Sequence, residues 1–437
     1  MTRTVFLNAR LIDPATGLDA KGNLAVENGK IAEFGPHACA GADASDPGTV
    51  DCKGLVLSPG LIDMRVFTGE PGSEHRETLE SASRAAAAGG VTTVIVMPNT
   101  DPVIDEPSLV DFIRRRAAAT ACVRVAPMAA LTRHLDGKVM TEMGLLKEAG
   151  AVAFTDGDRT IANTRVMRRT LSYAATFDAL VVGHAEDPDL SEGTSVTAGE
   201  YATRLGIPAA PAIAETIIVE RDIRLVETTN ARYHFGQIST LASLEAVIAA
   251  KKRGLHITCG VSANHLALNE TDVGPYYTFM KVKPPLRSEA DRQAMVDGIV
   301  NGDIDVIVSG HDPQAADTKR QPFGQAAFGA VGLETLLPVA LKLYHDRSAP
   351  LAHVLKAMTA TPAAILGIEG GRLVEGAPAD LTLIDPNLTF TVTQDGLHSR
   401  ARNTPFDGRS FKGRAVKTFV GGECVFDLAR ETAETGT

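Results

Sequence analysis

Eight times between residues 59 and 313 the chain runs through a short apolar, β-branched stretch that ends in polar residues and gives way to a helical one. The stretches are PGLIDMRV from Pro59, VTTVIVMPN from Val91, CVRVAPMAAL from Cys122, AVAFTDGD from Ala151, ALVVGHAED from Ala179, RYHFGQIST from Arg232, LHITCGVSANH from Leu255 and DVIVSGHDP from Asp305. Strands that are apolar on both faces need cover on both, which suits parallel strands flanked by helices. The helix signals agree: ETLESASRAAAAGG, from Glu77, closes on Gly89-Gly90 as a helix C-terminus does. Eight such units predict the α/β class and favour a closed (β/α)8 barrel over an open doubly wound sheet. No glycine-rich dinucleotide or P-loop fingerprint supports the open alternative.

The two ends of the chain read differently from its middle. TVFLNARLI and NLAVENGKIAEF, with the hairpin signal Asn28-Gly29, are β-like, and the pattern returns only in ADLTLIDP from Ala379 and GRAVKTFVGGECVFD from Gly413. We therefore expect a small composite β-sandwich domain built from residues 1–57 and 370–437, with the barrel spanning 58–369. In a barrel of this kind chemistry collects at the C-terminal ends of the strands. The candidate residues there are Arg65, Phe67, Asn99, Asp156, His184, Glu186, Gln237, His265, His311 and Asp312.

Charge and cysteine usage bound the partners and the compartment. A formal net charge of −10 without a basic stripe argues against nucleic acid. No apolar run is long enough for a signal peptide core or a bilayer span, so no membrane is expected. The five cysteines are isolated and odd in number, fitting neither a zinc motif nor a disulfide framework, and a reducing cytoplasm is the expected location.

From end to end the chain resembles the dihydroorotases of the amidohydrolase superfamily, with hydantoinases and allantoinase as near relatives. The resemblance is carried by PGLID (59–63), EPG (70–72), the helix and strand from Glu77 to MPNTDPV, AFTDGD, HAED (184–187), KVKPPLRSEADRQA from Lys281, GAVGLET from Gly329, TPAAILGI from Thr361 and the closing NTPFDGRSFKGRAVKTFVGGECV. It implies a TIM barrel with the composite β domain, oligomerisation, and hydrolysis or closure of a cyclic amide on one or two zinc ions. Zinc is needed because it lowers the pKa of bound water from roughly 15.7 to about 7 and polarises the amide carbonyl.

The resemblance also shows what is missing. The family's His-x-His ligand pair and following Arg fall on Arg65, Phe67 and Gly69, a further ligand His falls on Gln237, and the ligand and general-base Asp falls on Gly310. The Asn before Pro-Pro-Leu-Arg is Lys283. The matching ligand positions that keep their chemistry are His184 and Asp156, and Asn99 remains of the substrate contacts. The expectation is therefore no catalytic residue, no metal and no cofactor, with zinc only if the site is rebuilt from residues such as His234, His265, His311 or Asp312. An Arg65–Asp156 ion pair is expected where the metal would lie, with Phe67 filling the space. Inactive dihydroorotase-like chains of this family pair with aspartate transcarbamoylase, so the catalytic subunit of that enzyme is the expected partner, in a homo- or hetero-oligomer. Two other readings stand beside this one: an active cyclic amidohydrolase with an atypical metal site, and a metal-free metabolite sensor.

Overall fold

The computed structural model describes residues 3–347 and 349–435. Its centre is a parallel sheet of eight strands in sequential order: β1 (Leu61–Val66), β2 (Val91–Val96), β3 (Arg124–Ala129), β4 (Ala153–Phe154), β5 (Leu180–His184), β6 (Arg232–Gln237), β7 (Ile257–Ser262) and β8 (Val306–Val308). Each pairs in parallel with the next, for example Val94 with Val125 and Tyr233 with Ile257. The ring closes just beyond β8, where His311 bridges Val66 and the Phe67 amide donates to the His311 carbonyl at 2.9 Å. This is the (β/α)8 barrel that the eightfold pattern predicts.

Alternation along each strand sorts the core into two layers. Ile62, Met64, Ile95, Met97, Met128, Leu180, Val182, Val306 and Val308 share the barrel interior. Leu61, Val94, Val96, Phe154, Val181 and Phe235 face the helical ring. Truncating one such buried side chain to Ala costs about 2–5 kcal/mol. Hence the fold rests on residues separate from the strand ends.

Helix Leu79–Ala88 shows how local sequence sets its boundaries: Thr78 and Ser81 form a reciprocal capping box and Gly89 terminates it. Gly89 packs so closely that a Cβ there would stand 2.2 Å from the Leu333 carbonyl oxygen.

Strands from both ends join one hydrogen-bonded path, 423–427, 410–420, 381–391, 56–59, 3–13, 18–27 and 30–35, with Thr49–Asp51 added beside 3–13. Its apolar face holds Phe6, Leu11, Leu24, Leu57, Leu381 and Phe419. Val56–Pro59 pairs within this sheet, so the chain passes into the barrel at Gly60. Among the described residues no helix is long and apolar enough to cross a membrane.

Candidate functional site

The strand ends enclose a cavity of about 290 Å³. Arg65 and Phe67 from the end of β1, Asn99 beyond β2, Gln237 closing β6 and Gly310 beyond β8 all line it. A second cavity of about 680 Å³, sharing Asp158, Lys283 and Phe328 in its lining, holds His184 and Glu186. The strand-end candidates thus divide between two neighbouring spaces, except for Asp156.

Asp156 lines neither space. It is buried, and its carboxylate accepts hydrogen bonds from the Leu131 and Thr132 amides and from the Thr132 hydroxyl, tying the end of β4 to the loop after β3. Burial pushes the Asp156 carboxyl up to about 6 against the pull of these donors. The expected Arg65–Asp156 ion pair is not formed. Gly157, at φ +74°, turns the chain so that Asp158 is the carboxylate that meets the cavity. Burial pushes Asp158 up, but Lys283, His184 and Arg65 together outweigh it and lower its pKa.

The Arg65 amide donates to Asp63 Oδ1 at 3.1 Å, and its side chain lines the cavity with one hydrogen bond, a 3.5 Å contact to the Gly157 carbonyl, and no ion pair among the described residues. Burial pulls its pKa down, opposed by the attraction of Asp158, Asp312 and Asp63. Phe67 is buried and lies under the Arg76 guanidinium, 4.5 Å from its ring centre. Arg76 in turn donates to Asp312 at 2.8 Å and to the Pro313 carbonyl at 2.8 Å. An apolar ring with a cation over it thus stands at a position where the resemblance implies a metal ligand.

His184 is turned to Glu186, 3.4 Å away, and Lys283 holds the same carboxylate oxygen at 3.1 Å. Burial pushes the Glu186 carboxyl up, but His184 and Lys283 outweigh it and hold it at about 2. Burial lowers the His184 pKa against Glu186, and the nearby positive charges of Lys283 and Arg65 add to the lowering.

The remaining histidines do not rebuild a ligand set. His265 is engaged at both nitrogens, by the Ser262 hydroxyl at 2.7 Å and the Pro285 carbonyl at 3.3 Å. His311 accepts from the Gly332 amide at Nδ1 and points Nε2 toward Glu77, 3.5 Å away. His234 is held by Thr258 and is buried away from the cavity. At Gly310, φ is +63° and a Cβ would stand 3.2 Å from Gln237 Nε2, so that position cannot take an Asp without strain. Among the described residues no group of three or more His, Cys, Asp or Glu side chains could hold a metal ion. This donor set does not fit a catalytic zinc, and the cations Arg65 and Lys283 would repel a dication.

Sequence reasoning missed Asp158, Arg76 and Asn264 as parts of the cavity wall. Asp158 was signalled by Gly157, the residue that permits the turn. Arg76 carries no local signal, because its partners Phe67 and Asp312 meet only on barrel closure.

Comparison with known proteins places this geometry. The dihydro-orotase-like family profile matches residues 54–243 and an amidohydrolase family profile matches residues 300–426. A protein named dihydroorotase from Anaplasma phagocytophilum (strain HZ) is 42% identical over 424 residues, covering 96% of this chain and 94% of that one. Another, from Wolbachia sp. subsp. Drosophila simulans (strain wRi), is 43% identical over 425 residues, covering 97% and 96%. Among solved structures, the L-hydantoinase of Arthrobacter aurescens superposes with a TM-score of 0.88 at 24% identity, covering 98% of this chain and 97% of that chain. The D-hydantoinase of Thermus sp. gives 0.82 at 22%, covering 97% and 95%. At such identities the structures speak for the fold alone.

Proposed function

Because the chain belongs to the dihydroorotase family of amidohydrolases, we propose that it is a dihydroorotase-like protein of pyrimidine biosynthesis that does not activate water on zinc and serves as structural partner of the aspartate transcarbamoylase catalytic subunit. One observation carries the first half of this reading: a guanidinium, a phenyl ring, a carboxamide and a glycine, from Arg65, Phe67, Gln237 and Gly310, line the cavity at the family's ligand and base positions. None of them is a histidine, thiolate or carboxylate, the donors that hold a catalytic zinc. The second half follows from the family resemblance: a barrel with its core intact and its water-activating set replaced is suited to a role at its surface. We place it in the cytoplasm, on its free cysteines and the absence of any membrane-length helix among the described residues.

The test is metal content per chain on protein purified without chelators, followed by turnover of dihydroorotate. Zinc near zero and no turnover are expected. One or two equivalents of zinc with chelator-sensitive turnover would establish an active dihydroorotase instead, the reading favoured by the names of the relatives at 42% and 43% identity. Co-elution with the aspartate transcarbamoylase catalytic subunit on size exclusion is expected, and separate elution at micromolar concentrations would remove the partnership.

A further inference from the structure

A third cavity, of about 450 Å³, opens between the segment after β1, the segment after β8 and residues 394–403. It shares Arg76 and Gln314 in its lining with the strand-end cavity and holds none of the positions where the resemblance implies a metal ligand. Its wall is fixed by contacts to the backbone. The buried Asn403 accepts from the Gln314 amide at 3.1 Å and donates to the Gly329 carbonyl at 3.1 Å. The Arg400 amide donates to Glu77 at 3.1 Å, and the Arg320 amide to the Ala316 carbonyl at 3.0 Å. The volume falls within the range of small-molecule sites.

Five Lys and Arg side chains line this cavity, and among the described residues no carboxylate does. Arg76 is committed to Asp312 and the Pro313 carbonyl, and Lys319 to three backbone carbonyls. Arg320, Arg400 and Arg402 form no ion pair among the described residues. Arg402 donates to the Leu397 carbonyl, and no side-chain hydrogen bond among the described residues engages the other two. Carboxylates on the same segments do not answer them: Asp312 holds Arg76, Asp407 accepts from Gln394, and Asp317 and Asp395 stay out of the lining. Three unmatched guanidiniums in one concavity, on a chain of net charge −10, focus a local positive field.

The charge of the occupant follows from that count. A carboxylate would answer one guanidinium, a phosphate monoester carries about −1.5 to −2, and a second phosphoryl group is needed to meet all three. Guanidinium forks pair with phosphate oxygens two at a time. On the same wall Phe279, half-buried beside Tyr277 with the ring centres 5.1 Å apart, offers an apolar surface to whatever the phosphates carry. We propose that this cavity binds a small organic diphosphate, its phosphates on Arg320, Arg400 and Arg402 and its organic part against Phe279. The proposal is independent of the metal question and of the partnership.

The experiment is calorimetric titration of the full chain at physiological salt, without divalent cations, with ADP, inorganic pyrophosphate, adenosine and citrate. ADP carries a diphosphate and a planar body, pyrophosphate the phosphates alone, adenosine the body alone, and citrate a comparable charge without phosphorus. Wild type is expected to bind ADP most tightly, pyrophosphate more weakly, and adenosine and citrate more weakly still. Arg320→Met and Arg400→Met, at exposed positions where the urea midpoint should not move, should each weaken ADP and pyrophosphate by at least about tenfold. Arg168→Met, which removes the same charge from an exposed position on helix Thr164–Thr176, should change neither. Phe279→Leu should bring ADP down to the level of pyrophosphate while leaving pyrophosphate unchanged. The proposal is overturned by no binding of ADP to wild type, by adenosine binding as tightly as ADP, or by citrate binding as tightly as pyrophosphate. Unchanged affinity in the two arginine variants, an equal loss in Arg168→Met, or full ADP affinity in Phe279→Leu would overturn it as well.

Discussion

At φ +74°, Gly157 reverses the chain between two carboxylates and gives them different work. Asp158 enters the field of Lys283, His184 and Arg65, whereas Asp156 becomes a buried hydrogen-bond acceptor for Leu131 and Thr132. Asp156 therefore has a measurable pH signature. Its folded-state value of about 6 lies above the ordinary 3.8, so the native chain holds that proton more tightly than the unfolded chain. The resulting stabilisation is complete below about pH 4 and is lost as pH rises through about 6. Asp156→Asn keeps Oδ1 for the two amides and removes the titration. Relative to wild type, the variant should gain about 2 kcal/mol between pH 4 and pH 7, read by urea unfolding; a constant difference across that range would show that Asp156 does not titrate as described. Metal content should be the same in this variant as in wild type. At this scale the sequence was legible wherever a residue announces its own environment. Phe67 and Gln237 could be placed at the mouth from strand endings alone, but TDGD offers two aspartates, and only the backbone angle between them decides which one faces the cavity.

The segment after β8 is fixed by two buried lysines. Lys319 donates to the carbonyls of Thr278, Lys281 and Ala327, at 3.0, 3.3 and 2.7 Å, and Lys281 donates to those of Phe323 and Gly324, at 3.0 and 2.9 Å. Each lysine lies on one of two segments, 278–283 and 316–329, and ties it to the other, so Phe328 and Lys283 are held as the wall between the cavities. Lys319→Met leaves three buried carbonyls without their donor and should cost about 2 kcal/mol or more, with faster proteolysis between residues 311 and 330. Its pH dependence gives a second check. Burial pushes the Lys319 ammonium down from 10.5 to about 7, so between those values the unfolded chain carries a proton that the folded chain has released. Wild-type stability should rise with pH across that window, and the rise should be smaller in the variant. Equal slopes would place the neutralisation elsewhere. The eight strands, the helix after Glu77 and the β-rich ends could be read from periodicity and caps because those signals are local. The lysine struts could not, since an isolated Lys in sequence reads as solvent-facing and only the packing of two distant loops buries it.

On the scale of the whole molecule, the terminal sheet and the barrel share their load-carrying contacts across sequence separations of hundreds of residues. The Thr382 hydroxyl donates to the Gly90 carbonyl at 2.7 Å and the Thr418 hydroxyl to that of Ala87, also at 2.7 Å. Arg124, on β3, meets both oxygens of the Asp380 carboxylate, at 2.5 and 3.1 Å, and the Gly60 amide donates to the Asp380 carbonyl at 2.8 Å. Glu77, beside the cavity, accepts from Ser399 and from the Arg400 amide. Loss of either unit would strip partners from buried groups of the other, so the two should unfold together rather than as separate domains. The composition supplies a clean probe: the chain has no Trp, and its 6 tyrosines all lie between positions 173 and 344, inside the barrel. Tyr344 meets Arg10 of the terminal sheet, so tyrosine fluorescence follows chiefly the barrel, while far-ultraviolet circular dichroism follows both units. In urea the two signals should trace one transition with one midpoint, and Arg124→Met, which strands Asp380 at the junction, should lower both midpoints equally. Two separated midpoints, or a shift confined to the dichroism signal, would mean that the terminal sheet is an independent domain. A surface for the proposed partner would then have to be sought on the sheet and the barrel separately, because a binding partner stabilises only the unit to which it is thermodynamically linked.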